Sequence, residues 1–112
     1  MSAAIDMTDI QLMELAAHAA GYVVVSRDAA MPALLLAGMT AWEPLTDDGD
    51  ALRLAVALKI DFEHGHTFVR AIWYDEALSS THICELPADA DDALAQTRRA
   101  IVRAAAEIGR AS

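Results

Sequence analysis

The sequence predicts an α+β domain: an antiparallel sheet of about four or five strands with three helices packed mainly on one face, in the order α-β-β-α-β-β-β-α. Three observations carry this expectation. Three segments combine apolar residues at helical spacing with residues suited to helix ends. Between them lie short β-branched or alternating runs bounded by glycine, proline and acids. With 112 residues and no internal repeat, low-complexity segment or linker, the chain reads as one domain over 1–112.

The first helix is expected from Asp9 to Ala20. Thr8 and Gln11 have the spacing of a capping box, in which the hydroxyl and the amide side chain each satisfy a free backbone N–H. Leu12, Leu15, Ala16 and Ala19 form its apolar stripe, and Gly21 stands where a left-handed terminating residue is wanted. Tyr22 to Ser26 is a β-branched strand, and Arg27 to Pro32 a turn. Ala33 to Ala37 reads as a second strand ended by Gly38, although its leucines also allow a short helix. Trp42 to Thr46 is a connection held by Pro44.

A second helix follows from Asp47 or Asp48 to Leu58. Leu52, Ala55, Val56 and Lys59 mark its spacing, with Leu45 available beneath its first turn. Ile60 to Glu63 alternates as a strand does, and His64-Gly65-His66 suits a hairpin turn. Thr67 to Tyr74 is the clearest strand. Asp75 to Ser80 turns, and Thr81 to Leu86 is the last strand. Pro87 closes the sheet, and the third helix begins near Asp89, which can cap it with Asp92 three residues on. Leu94, Ile101, Ala105 and Ile108 line one of its faces, and Gly109 loosens its end.

Composition narrows the classes of function. The hydrophobic fraction is 55%, but 25 of the 112 residues are alanine, so large apolar residues make up about a third of the chain. The longest apolar run, Met31 to Met39, is broken by Pro32 and Gly38 and is too short to span a bilayer. The start of the chain lacks the basic and apolar regions of a secretory signal. A lone cysteine, Cys84, permits no intrachain disulfide and fits a reducing cytoplasm. Net charge is −9, with −12 over residues 1–97 and +3 over 98–112. Such a balance opposes direct nucleic-acid binding, which needs Lys and Arg against phosphate. It suits a partner with a basic surface.

Several groups have residue types that carry chemistry. Asp47, Asp48 and Asp50 around Gly49 could form a cation loop, but an EF-hand spreads its ligands over twelve residues, and Leu58 occupies the twelfth position. Helix capping accounts for the same acids. His64 and His66 could hold zinc with His18 or His82, yet no Cys pair or H-E-x-x-H accompanies them. Ser79, Ser80, His82 and Asp75 have the types used in nucleophilic catalysis, without a nucleophile-elbow motif. His82 and Cys84 share a strand face, although a buried, inert cysteine explains Cys84 equally well. No catalytic residue, metal or cofactor is therefore expected. The remaining candidates are contacts: Trp42, Glu43 and Asp48 at an acidic corner, and Arg98, Arg99 and Arg103 as the one basic cluster. Trp42 reads either as an exposed anchor or as a lid over the junction of the first two helices. The arginines read either as an anion site or as partners for the chain's own acids.

Three segments together carry a resemblance. They are the helix end Leu15-Ala16-Ala17-His18-Ala19-Ala20-Gly21, the block from Trp42 through Pro44-Leu45 and Asp47-Asp48-Gly49-Asp50-Ala51-Leu52-Arg53-Leu54-Ala55-Val56, and Thr97-Arg98-Arg99-Ala100-Ile101-Val102-Arg103-Ala104-Ala105-Ala106-Glu107-Ile108-Gly109. In this order they resemble small, uncharacterised bacteriophage and prophage accessory proteins of the NinX-like group. That group usually has Asn after the tryptophan, where this chain has Glu43. The resemblance implies a phage origin and a cytoplasmic site of action in an infected or lysogenic bacterium, and it implies no reaction. The expected function is non-enzymatic: stoichiometric binding to a host protein such as a defence factor, with a basic nucleic-acid-binding surface as one such target. The alternatives are an oligomer that sequesters a nucleotide-like signal, with an arginine on phosphate and Trp42 or Tyr74 stacking, and a module that forms a homodimer. No membrane partner is expected.

Overall fold

The computed structural model describes residues 8–28, 33–38 and 41–111. Its elements run α1 (Asp9–Ala20), β1 (Val24–Asp28), β2 (Ala33–Leu36), β3 (Ala41–Trp42), α2 (Asp48–Leu58), β4 (Asp61–His64), β5 (Phe68–Asp75), β6 (Ser80–Pro87) and α3 (Ala93–Ala111). The fold class is α+β, but the strands form two antiparallel sheets, β1-β2-β3 and β4-β5-β6. The expected single sheet of four or five strands is thus corrected to two sheets of three. The sixth strand arises because Trp42, expected to open the connection Trp42 to Thr46, joins Ala41 in pairing with β2 through Leu34↔Trp42 and Leu35↔Ala41. Alternation identifies strands, whereas pairing depends on which edges the helices leave together.

The helices pack between these sheets rather than on one face of a single sheet. α1 packs on β1 and β2, α3 packs on β5 and β6, and α1 and α3 pack on each other. α2 packs against both helices. This arrangement explains the alanine content. α3 buries Thr97, Ala100, Ile101, Val102, Ala104, Ala105, Ala106 and Gly109, and so meets neighbours on most of its circumference. Small side chains let other elements approach its axis closely.

Local chemistry sets most element ends. The Thr8–Gln11 capping box is present, and Gly21 closes α1 at φ 78°. Asp47 caps α2, its carboxylate accepting the Asp50 N–H at 2.8 Å. Lys59 ends α2 in the left-handed region at φ 56°, where a non-glycine residue is strained. β1 lies later than expected and carries a register irregularity between Val24 and Ser26. The turn expected from Arg27 to Pro32 lies, beyond Asp28, outside the described residues, as do parts of the Met31 to Met39 run.

Helical spacing alone does not tell which side of a helix is covered. Of the residues that mark the spacing of α2, Ala55 is buried, together with Ala51 and Leu54, whereas Leu52 and Val56 are exposed. Leu94, in the first turn of α3, is exposed, while Ile101 and Ala105 of the expected stripe are buried. Asp89 and Asp92 cap each other as expected, Asp89 Oδ1 accepting the Asp92 N–H at 3.2 Å and Asp92 Oδ1 the Asp89 N–H at 2.7 Å, but they do so in the turn before α3, which begins at Ala93 rather than near Asp89. Gly109 does not loosen the end of α3, which runs on to Ala111. A Cβ there would stand 2.1 Å from the Leu15 carbonyl oxygen, so glycine permits the closest approach of α3 to α1.

Candidate functional site: a cleft beneath the β5–β6 turn

The β5–β6 hairpin and the C-terminal ends of α2 and α3 enclose a cleft of about 500 Å³. Its register is set by direct pairing of Trp73 with His82, Tyr74 with Thr81, and Asp75 with Ser80. The connecting residues Glu76 to Ser79 turn tightly. Asp75 Oδ1 accepts the Leu78 N–H at 3.2 Å, and Ser79 adopts φ 51°. Trp73 and His82 stack with ring centroids 5.4 Å apart. Leu58, Trp73, Ile108 and Ala111 supply apolar lining, and Asp75, Glu76 and Glu107 supply carboxylates, that of Glu107 paired with Arg110. Tyr74 and Leu78, at 59% and 68% exposure, stand at the mouth. Two smaller hollows, of about 220 and 200 Å³, lie beside β2 and beside His64 and His66.

Ser80, His82 and Asp75 meet at this site, but not as a catalytic triad. Ser80 Oγ lies 3.1 Å from His82 Nε2, and Asp75 Oδ2 lies 4.0 Å from the same nitrogen. A triad places the hydroxyl on one ring nitrogen and the acid on the other. The observed contacts brace the hairpin. Cys84 is half-buried two residues on. Burial pushes its thiol above its ordinary pKa, the positive field of Arg103 opposes this, and Glu107 adds to the rise. A nucleophilic cysteine needs the opposite direction.

The acidic corner is structural. Trp42 is 3% exposed and meets Tyr22 edge-on at 5.4 Å, so it belongs to the core and the expectation of an exposed anchor is corrected. It lies in β3, where pairing with Leu34 turns its ring inward. Glu43 is half-buried, and its N–H donates to Asp50 Oδ2 at 2.9 Å. Asp48 is exposed and paired with Arg98 at 2.6 Å.

The basic cluster does not converge on an anion site. Arg98 also donates to the Leu45 carbonyl at 2.9 Å, pinning α3 to the loop before α2. Arg99 reaches both carboxylate oxygens of Asp9 and ties α3 to the start of α1. Arg103 is half-buried and makes no salt bridge among the described residues. The nucleotide reading therefore loses Trp42 as a stacking surface and has two of its arginines already paired.

The histidines separate as well. His64 Nε2 lies 3.0 Å from Thr97 Oγ1, which itself donates to the Ala93 carbonyl, so His64 is the donor in that contact. Among the described residues, no three His, Cys, Asp or Glu side chains are grouped to hold a metal ion. No described helix is long and apolar enough to cross a membrane.

Sequence reasoning missed the cleft because its walls come from four separated segments. One local signal was present: Leu78 is the one large apolar residue in the turn from Glu76 to Ser79. Comparison with protein-family models, curated proteins and solved structures finds no match for this chain.

Proposed function

We propose that this chain is a non-enzymatic binding protein that engages the basic surface of a host protein in a stoichiometric complex. The observation that carries this reading is the fate of its cations. Six of the eight Lys and Arg side chains, Arg27, Arg53, Arg70, Arg98, Arg99 and Arg110, are paired with carboxylates of the same chain. Asp61, Glu76, Asp89, Asp91 and Asp92 are exposed and form no salt bridge with Lys or Arg among the described residues. The charge left for a partner is therefore negative, and charge complementarity selects a basic surface and speeds encounter. The phage-like segments add the context of a bacterial host cytoplasm, where a defence factor is one such target.

Affinity capture with the folded protein from bacterial host lysate tests this. The expected result is recovery of a basic protein in fixed ratio, diminishing as salt screens the attraction. Recovery of nothing above background, or of a partner held without regard to salt, would overturn it.

A further inference from the structure

We propose that the cleft beneath the β5–β6 turn seats an arginine or lysine side chain from the partner polypeptide. This deepens the reading above and rests on it. The volume of about 500 Å³ falls within the range of small-molecule pockets, ample for one long side chain and its neighbour. The cleft has two chemical zones. Leu58, Trp73, Ile108 and Ala111 offer an apolar lining suited to a methylene stem, and Asp75 and Glu76 present carboxylates to the head group.

No Lys or Arg lines the cleft. Lys59 follows Leu58 in the chain, and Arg110 is paired with Glu107 at 2.9 Å, but neither is a wall residue. Asp75 holds the Leu78 N–H and lies near His82, so its charge is partly engaged. The Glu76 carboxylate has no hydrogen bond or salt bridge among the described residues and is the acid most available to an incoming cation. Tyr74 at the mouth offers a ring face for cation–π contact, and Leu78 offers an apolar lip for the adjoining residue of the partner. A phosphate or nucleotide would meet these acids with like charge.

The test uses the full-length protein labelled with ¹⁵N and two probes, the dipeptide N-acetyl-Arg-Leu-amide and its citrulline counterpart, which keeps the shape and removes the charge. Amide shifts at Asp75 to Leu78 and Glu107 to Ala111 are expected with the arginine probe. Binding is expected to fall about tenfold with citrulline, as loss of a charge-assisted contact predicts. Glu76→Gln should weaken the arginine probe and leave the fold intact, as read from the remaining spectrum. Absence of shifts at millimolar probe, equal binding of citrulline, shifts confined to another surface, or full binding by Glu76→Gln would each overturn the proposal. A captured partner retained by both Glu76→Gln and Leu78→Ser would overturn this seat while leaving the binding function standing. Failure to capture any partner, with the arginine probe still seated, would overturn the function and leave the seat.

Discussion

Replacing Gly109 with alanine should destabilise the protein, against the usual effect of that change in a helix. Alanine inside a helix is ordinarily favoured over glycine by about 1 kcal/mol. At Gly109 the new methyl group would lie 2.1 Å from the Leu15 carbonyl oxygen and 2.9 Å from its carbonyl carbon. At an ordinary contact of 3.4 Å, the two helices would have to part by about 1.3 Å along that line. The obstacle is backbone, so no side-chain rotation relieves it. Overpacking of this kind costs roughly 1–3 kcal/mol, and a rigid obstacle belongs in the upper half of that range. Subtracting the propensity gain leaves a net loss of about 1–2 kcal/mol. For a domain of about 100 residues this lowers Tm by roughly 5–15 °C. Urea unfolding followed by circular dichroism should show a lower midpoint with an unchanged slope. Ala95→Gly, at an exposed position of the same helix, serves as the control and should also destabilise. If Gly109→Ala raises the midpoint, propensity governs the position and the argument from close approach fails.

Asp47→Ala removes the N-cap of α2 and should cost about 1 kcal/mol, measured as a shift in the same urea midpoint; the Asp50 N–H that it satisfied returns to water. Cys84 should alkylate more slowly with iodoacetamide in the folded protein than in urea at mildly alkaline pH. Its folded pKa is raised, so the unfolded chain loses the proton first and the associated stability, full below the unfolded pKa, declines as pH rises through the folded value. Equal alkylation rates in the two states would contradict the assigned burial.

The parts of the structure legible in the sequence are those governed by neighbours along the chain. Thr8, Gln11 and Gly21 bound α1 at the expected residues, because each satisfies or reshapes backbone groups within four positions. Asp47 does the same at α2, and the capping role of the acidic turn followed from its crowded spacing. Phe68–Asp75 and its partner β6 lie within a residue of their expected limits. Trp42 shows where this reach ends. Pro44 marked the corner, but a two-residue strand has no periodicity to detect, and only pairing with Leu34 determines that the ring turns inward.

The candidate site depends still more on distant partners. Asp75, Ser80 and His82 were recognisable as residue types, yet their shared approach to one nitrogen is a matter of hairpin register. The arginines were visible as a cluster, but their engagement with Asp9 and Asp48 requires α3 to cross the starts of α1 and α2. Leu52, Val56 and Leu94 were misassigned because helical spacing names a stripe without saying which side is covered.

By itself the sequence determined the class of elements, most of their ends, and a surplus of acid over base. These follow from backbone hydrogen bonding, side-chain period and composition, all local or additive quantities. Only the tertiary structure decided that the strands form two sheets about a central alanine-rich helix, that Trp42 is core, and that a cleft lined by apolar and acidic side chains opens beneath the β5–β6 turn. Those outcomes depend on which surfaces meet across long stretches of chain, and close packing around Gly109 and the alanines of α3 selects among the pairings that local patterns leave open.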